Sequence, residues 1–174
     1  MEEEVCFEKD FILELPAQNT RPVFQAITSH LAVRTGIDPR IIFTELMNRE
    51  ALGSTGFGAG FALPHALVPN LASPAKVLAT LRDAIEFNAP DDQPVDVFLA
   101  VIWPEDQQEG FLPALAKHCR IFRSRKLLAA LRDARSETEA LIVLATLAGK
   151  SEPAVTGPVI TRCNLLHSVG QMEF

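Results

Sequence analysis

Apolar positions recur along this chain with two periods, and the switches between them outline the elements. Phe11–Leu15 is apolar apart from Glu14 and reads as a first strand. Val23, Ile27, His30, Leu31 and Arg34 then recur at helical spacing, with Phe24 and Ala26 beside them. Asn19 or Thr20 can cap this helix, Pro22 suits its first turn, and Gly36 ends it. Asp38-Pro39 opens a second helix, on which Ile41, Ile42, Glu45, Leu46 and Arg49 share one side. Residues 66–74, with two prolines and an Asn, read as loop. Lys76–Leu81 predicts a strand, Ala84–Phe87 a short extended piece, and Asn88–Pro94 a turn. Val95–Trp103 has strong β character and predicts a central strand buried on both faces, stopped by Pro104. A helix is expected from Phe111 to Phe122, with Pro113 in its first turn and Leu112, Leu115, Ala116 and Cys119 inward. Ser124 caps a short helix through Leu131, and Ser136 to Glu139 form a capping box for a helix ending at Gly149. Strands alternating with helices predict an α/β domain over residues 1–149 with a mostly covered sheet. Residues 150–174 form a tail, mobile or packed as an edge segment through Val159–Ile160.

Arg49 to His65 stands apart from these periodic stretches. Gly53, Gly56, Gly58 and Gly60 fall within eight positions, and the run ends on Pro64-His65. Backbone N–H groups of such a loop can approach and cradle an oxyanion. No Gly-Lys-Ser/Thr follows, so it is not a Walker loop, and most glycine-rich loops are only turns. Pro64 biases Leu63 toward extended structure, which would deliver the His65 imidazole at a fixed angle, exposed at a pocket rim. Arg49 falls in the last turn of the preceding helix, where the dipole alone favours a cation.

Charge narrows the functional classes. The 174 residues carry 16 basic and 22 acidic side chains, a net charge of −6. That argues against non-specific nucleic-acid binding, which needs a basic face. No apolar run reaches membrane-spanning length, and the acidic N-terminus is unlike a signal peptide, so a cytoplasmic protein is expected. Cys6, Cys119 and Cys163 have no ligand spacing and read as free thiols. No metal or cofactor is implied. His30 reads as a partly buried structural histidine and Trp103 as packing, while His118 and Cys119 point to different sides of a helix. His167 has no partner that the sequence identifies.

Leu52–Ala66 (LGSTGFGAGFALPHA) resembles the phosphorylation-site signature of enzyme IIA domains of the bacterial phosphoenolpyruvate-dependent phosphotransferase system, in the fructose/mannitol and nitrogen-regulatory superfamily. The likeness extends through Asn48-Arg49-Glu50, Asp91–Asp96, Pro104–Gln107 and the Ser136 capping box, covering about residues 7 to 148. It implies a mixed sheet flanked by helices on both faces. It also implies a phosphohistidine at His65, a family arginine at Arg49, and an HPr-like phosphocarrier as donor. A neutral imidazole is nucleophilic near pH 7. Arg49 would stabilise phosphoryl oxygens. Neutral donors would come from the backbone around Gly58 and Gly60 and from the hydroxyls of Ser54 and Thr55. The acceptor that fixes the other ring nitrogen is not identified by the sequence. The family usually places a second histidine where this chain has Phe111, and His118, seven residues on, is no substitute. Ala66, where the family favours Gly, is a smaller departure.

Three functions compete. The first is a stand-alone nitrogen-regulatory phosphocarrier that controls partners by its phosphorylation state. The second is a sugar-transport IIA protein passing phosphate to a separate IIB protein. The third is a non-catalytic interaction module that keeps the fold, supported only by Phe111.

Overall fold

A computed structural model of the chain describes residues 10–148. The assignments at Gly149, the 150–174 tail with Val159–Ile160, His167, Cys6 and Cys163 lie outside them. The described elements are β1 (Phe11–Leu15), α1 (Thr20–Thr35), α2 (Pro39–Ala51), β2 (Gly56–Gly58), β3 (Phe61–Ala62), β4 (His65–Val68), β5 (Ala75–Ile85), β6 (Val95–Pro104), α3 (Phe111–Ile121), α4 (Arg125–Asp133) and α5 (Glu137–Leu147).

Capping chemistry sets the helix starts where the sequence placed them. Asn19 accepts from Arg21 N, Asp38 from Arg40 N, Ser124 from Leu127 N and Ser136 from Glu139 N. Each bond satisfies one amide that the first helical turn leaves orphaned. Gly36 ends α1 in the left-handed region, at φ 74°.

The six strands form one mixed sheet in the order β1-β5-β6-β3-β2, with β4 also paired to β6. β6 is the spine. It runs antiparallel to β5 and parallel to β3 and β4, which share one of its edges in succession. Its alternating side chains feed two cores. Phe98, Ala100 and Ile102 pack with Val23, Phe24, Ile27 and Leu31 of α1 and Ile42 and Leu46 of α2. Val97, Leu99 and Val101 pack with Leu115 of α3, Leu127, Leu128 and Leu131 of α4, and Ala140 and Leu144 of α5. Burial on both faces is why Val95–Trp103 reads as a nearly unbroken apolar run.

Several expectations need correction. Residues 66–68 are strand, not loop, because the parallel partner on β6 supplies hydrogen bonds that local sequence does not display. The extended pieces at 76–81 and 84–87 are largely one strand, β5, whose register shifts between Thr80 and Ile85. The glycine-rich stretch is not an open loop but a small β2–β3 hairpin. In α3 the expected inward face is met in part: Leu115 is buried and Cys119 packs partly buried against the core. His118 is buried too, whereas Leu112 and Ala116 are exposed. The inward row runs through Phe111, Leu115, His118 and Phe122.

Candidate functional site

The site forms where three segments meet: the end of α2, the start of β4 and the N-terminus of α3. Pro64 anchors the β4 approach, its carbonyl accepting from Val101 N at 2.9 Å. His65 follows, directly opposite Val101 of β6.

Both nitrogens of His65 are engaged. Nδ1 lies 2.8 Å from the Leu63 carbonyl, and Nε2 lies 3.0 Å from Arg49 Nε. A carbonyl only accepts and a guanidinium only donates, so the neutral tautomer is fixed: Nδ1 carries the proton and Nε2 presents the lone pair. The Leu63 carbonyl is thus the acceptor that the sequence left unnamed. Arg49 also donates through Nη1 to the Gly53 carbonyl at 3.1 Å, which ties the end of α2 to the glycine stretch.

The imidazole is not exposed at a rim, as expected, but buried, with His65 keeping 8% of its surface. Burial disfavours the charged form and lowers its pKa to about 4. The Leu63 hydrogen bond works against that shift and the Arg49 charge adds to it. The ring is therefore neutral at physiological pH. Phe111 contributes to the enclosure, its ring 6.0 Å from His65 in an edge-on arrangement. Phe111 in turn packs on Trp103 at 5.8 Å, and Trp103 donates its indole N–H to the Gln107 carbonyl. Trp103 is packing, as expected.

The hydroxyls of Ser54 and Thr55, two of the neutral donors expected for an anion, are spent inside the fold. Ser54 Oγ donates to the Phe87 carbonyl at 2.7 Å, and Thr55 Oγ1 donates to Glu50 at 2.6 Å. Glu50 also accepts from Thr55 N. Its burial raises its pKa, and the Thr55 bonds oppose that rise. Between Gly58 and Gly60, the Ala59 amide already holds an anion, the Asp91 carboxylate, at 2.8 Å. That bond, the largest contribution to its shift, lowers the pKa of Asp91. The Gly60 carbonyl accepts from Asp96 N and Val97 N. Arg132 closes the arrangement from α4 through a bidentate pair with Asp96 and a bond to the Ala59 carbonyl. Of the expected donors, only Arg49 touches His65.

Glu50, Asp91, Asp96 and Arg132 were missed as positioning groups. Glu50, Asp91 and Asp96 stood in the stretches that carried the family resemblance, which supplied a signal but no role. Arg132 lay in an ordinary helical pattern and gave none. His118 is buried in α3, and the described residues hold no group of three or more His, Cys, Asp or Glu side chains suited to a metal ion. His30 is half-buried, 3.9 Å from Asp10, in a structural setting. No helix among the described residues is long and apolar enough to cross a membrane.

The family model described as "Phosphoenolpyruvate-dependent sugar phosphotransferase system, EIIA 2" matches residues 4–146. A nitrogen regulatory protein of Bradyrhizobium diazoefficiens is 33% identical over 131 residues, 75% of this chain and 86% of that protein. A fructose-specific EIIA component of Haloferax volcanii is 30% identical over 117 residues, 66% of this chain and 76% of that protein. Among solved structures, the nitrogen regulatory protein IIA-Ntr of Neisseria meningitidis superposes with a TM-score of 0.70 at 24% identity, covering 78% of this chain and 97% of that one. Escherichia coli mannitol IIA in complex with phosphorylated mannitol IIB gives 0.69 at 14% identity, covering 81% and 97%.

Proposed function

The chain belongs to the EIIA 2 family of the phosphoenolpyruvate-dependent sugar phosphotransferase system, and from that premise we propose that it accepts a phosphoryl group on His65 Nε2. The donor is a phosphorylated HPr-like carrier. The observation that carries this reading is the pair of opposed hydrogen bonds on His65, which leaves Nε2 as a neutral nucleophile under the Arg49 guanidinium.

In the transfer, the Nε2 lone pair attacks phosphorus while the P–N bond to the carrier's histidine breaks and its electron pair returns to that ring. Positive charge grows on the His65 ring as the new bond forms. The Leu63 carbonyl dipole, aimed at Nδ1–H, stabilises that charge. Arg49 must release the lone pair and take phosphoryl oxygens instead, a short slide for a planar donor with several N–H groups. Phosphoryl transfer asks little covalent chemistry of the protein beyond such alignment and charge compensation.

A nitrogen-regulatory role is favoured over sugar transport by the naming of the Bradyrhizobium relative, 33% identical over 75% of this chain, as a nitrogen regulatory protein. In that role the phosphorylation state of a cytoplasmic carrier controls a protein partner. About −1.5 to −2 charges arriving beside Arg49 would invert the local potential that a partner reads. Transfer to a sugar-specific IIB protein would instead select the transport role. One observation favours a non-catalytic module: His65 is buried beneath Phe111, where the family keeps a second histidine.

One experiment tests the proposal. The protein is mixed with phosphorylated HPr-like carrier and examined by intact-mass spectrometry for an acid-labile phosphate. The wild type and His118→Ala are expected to acquire it and His65→Ala to lack it. An unmodified wild type selects the non-catalytic module, and labelling that survives His65→Ala ends the proposal.

A further inference from the structure

Glu50 reaches both sides of His65 without touching the ring. It follows Arg49 in the last turn of α2, and its carboxylate receives two bonds from Thr55, the amide at 3.0 Å and the hydroxyl at 2.6 Å. Thr55 is buried, and its carbonyl in turn accepts from Leu63 N at 3.0 Å. That bond adds a rung to the β2–β3 ladder beyond the Gly56–Ala62 pair. Leu63 then turns its own carbonyl to His65 Nδ1 at 2.8 Å. Glu50, Thr55 and Leu63 thus form an unbroken chain from one carboxylate to the proton that fixes the tautomer.

The Leu63-Pro64 segment hangs between two hydrogen bonds. Pro64 O accepts from Val101 N, which belongs to the sheet, and Leu63 N donates to Thr55 O. The second depends on where β2 is held at its open end. At the turn of the hairpin Asp91 and Arg132 bind Ala59, and at the open end Ser54 bonds the Phe87 carbonyl while Glu50 grips Thr55. Both Thr55 groups donate to Glu50, so both carboxyl oxygens accept. An ionised carboxylate does this, whereas an amide offers one acceptor and opposes the other donor with its own N–H groups. Bonds to an ionised acceptor are also the stronger ones.

We propose that Glu50 is a positioning residue for His65, holding the Leu63 carbonyl on Nδ1–H so that Nε2 stays the unprotonated, nucleophilic nitrogen. The role rests on the reading of His65 as the phosphoryl acceptor, but the tautomer is observable without any transfer.

The arrangement separates two tasks that one group could not perform. Arg49 bonds Nε2 in the resting site and is anchored through Nη1 to the Gly53 carbonyl. In the proposed transfer it must leave Nε2 for the phosphoryl oxygens. If Arg49 alone fixed the tautomer, that movement would free the ring proton to migrate. The Glu50 chain acts on the opposite nitrogen and stays whole while Arg49 moves, so Nδ1–H keeps its acceptor as positive charge grows on the ring.

The test pairs heteronuclear NMR of the His65 ring nitrogens in the full-length protein with rapid-quench phosphorylation by phosphorylated HPr-like carrier. The wild type is expected to show one tautomer, protonated at Nδ1, and Thr55→Ser, which keeps the hydroxyl, to match it in both readouts. In Glu50→Gln the two nitrogen shifts are expected to drift toward each other, and phosphorylation to slow by about ten- to a hundredfold. Thr55→Val removes only the hydroxyl bond at nearly the same shape, and is expected to drift in the same direction, so the link is tested even where Glu50→Gln does not fold. Gly36→Ala, strained at the end of α1, is the destabilised control and is expected to keep the wild-type nitrogen signals. Wild-type signals in both Glu50→Gln and Thr55→Val overturn the proposal. The same drift in Gly36→Ala also overturns it, by tracing the effect to general loosening. A drift without a change in rate overturns the part Glu50 plays in the transfer. A wild type that takes up no phosphate, beside a drift in Glu50→Gln, ends the phosphoryl-acceptor reading and leaves the hold of Glu50 on the ring standing.

Discussion

At the scale of single residues, Arg49 occupies the lone pair that the proposed phosphorylation would need. Its Nε lies 3.0 Å from Nε2 and donates to it, so the resting site is held closed by the group that, in the proposed transfer, would stabilise the phosphoryl oxygens. Arg49→Gln is expected to slow phosphorylation of His65 by about 10²- to 10³-fold, the range for losing one preorganised donor to a developing negative charge. Arg49→Lys should recover little, because a point charge cannot serve both the Gly53 carbonyl and the imidazole. Rapid-quench time courses with phosphorylated carrier measure both. Arg49→Gln also removes a charge that lowers the His65 pKa, so the pKa should rise. It should nevertheless stay below the ordinary histidine value, since burial is the larger cause. An NMR titration of the imidazole reads that shift. Phe111 offers the opposite experiment. Its ring contributes enclosure at 6.0 Å but no donor. Phe111→His is expected to accelerate phosphorylation by about tenfold or more if the new imidazole supplies a transition-state hydrogen bond. An unchanged rate in the same assay would mean that Arg49 alone suffices.

At the scale of elements, the β2–β3 hairpin is held by carboxylates rather than built to hold a phosphate. Asp91 fills the amide nest at Ala59, and Arg132 locks the turn against Asp96. Gly60 is where this packing is tightest. A Cβ there would lie 2.4 Å from Arg132 Nη2 and 2.9 Å from Asp96 Oδ1, at a φ of +77°. Gly36 has nearly the same φ, +74°, but no atom within 4 Å of an added Cβ. Gly36→Ala should therefore cost only the left-handed strain, about 1 kcal/mol, whereas Gly60→Ala should cost roughly 2–4 kcal/mol. Urea midpoints of the two variants separate backbone strain from the Arg132–Asp96 clamp. These elements also mark what the sequence could display. Helix starts were legible because Asn19, Asp38, Ser124 and Ser136 act on amides two or three residues away. β6 was legible because burial on both faces leaves an apolar run. β4 was not, because its extended state depends on residues 101–104, far along the chain. The glycine stretch suggested an anion cradle, and in the structure its Ala59 amide donates to a carboxylate 32 residues away, a partner that spacing does not reveal. In α3, Leu115 and Cys119 were legible as inward, but Leu112 and Ala116 were taken for inward in place of Phe111 and His118.

At the scale of the whole molecule, two buried neutral histidines link folding to pH. His65 and His118 are both lowered to about 4, while an unfolded chain protonates them near 6.5. Above pH 6.5 neither state binds these protons, and the histidines leave stability unaffected. As pH falls below 6.5 the unfolded chain takes them up and the native protein does not, so stability declines. It levels off only below the folded values near 4. The expected slope is about 1.4 kcal/mol per pH unit for each histidine within that window. Asp10 and Glu50 oppose it at the acidic end, because burial raises their carboxyl pKa values and favours protonation in the native state. Urea midpoints measured from pH 7.5 down to 5 should show the decline, and His118→Gln should reduce its slope by roughly half. Over the same interval the phosphorylation rate of His65 behaves differently. An ordinary surface histidine would lose about tenfold in reactive neutral form one unit below its pKa. His65, kept neutral by the fold, should react at a nearly constant rate down to about pH 5.5, once the carrier's own dependence is subtracted. Rate and stability profiles that part in this way would trace both effects to one cause, the exclusion of water from the imidazole. A rate falling with a midpoint near 6.5 would show that the reacting ring is solvated when it meets the carrier.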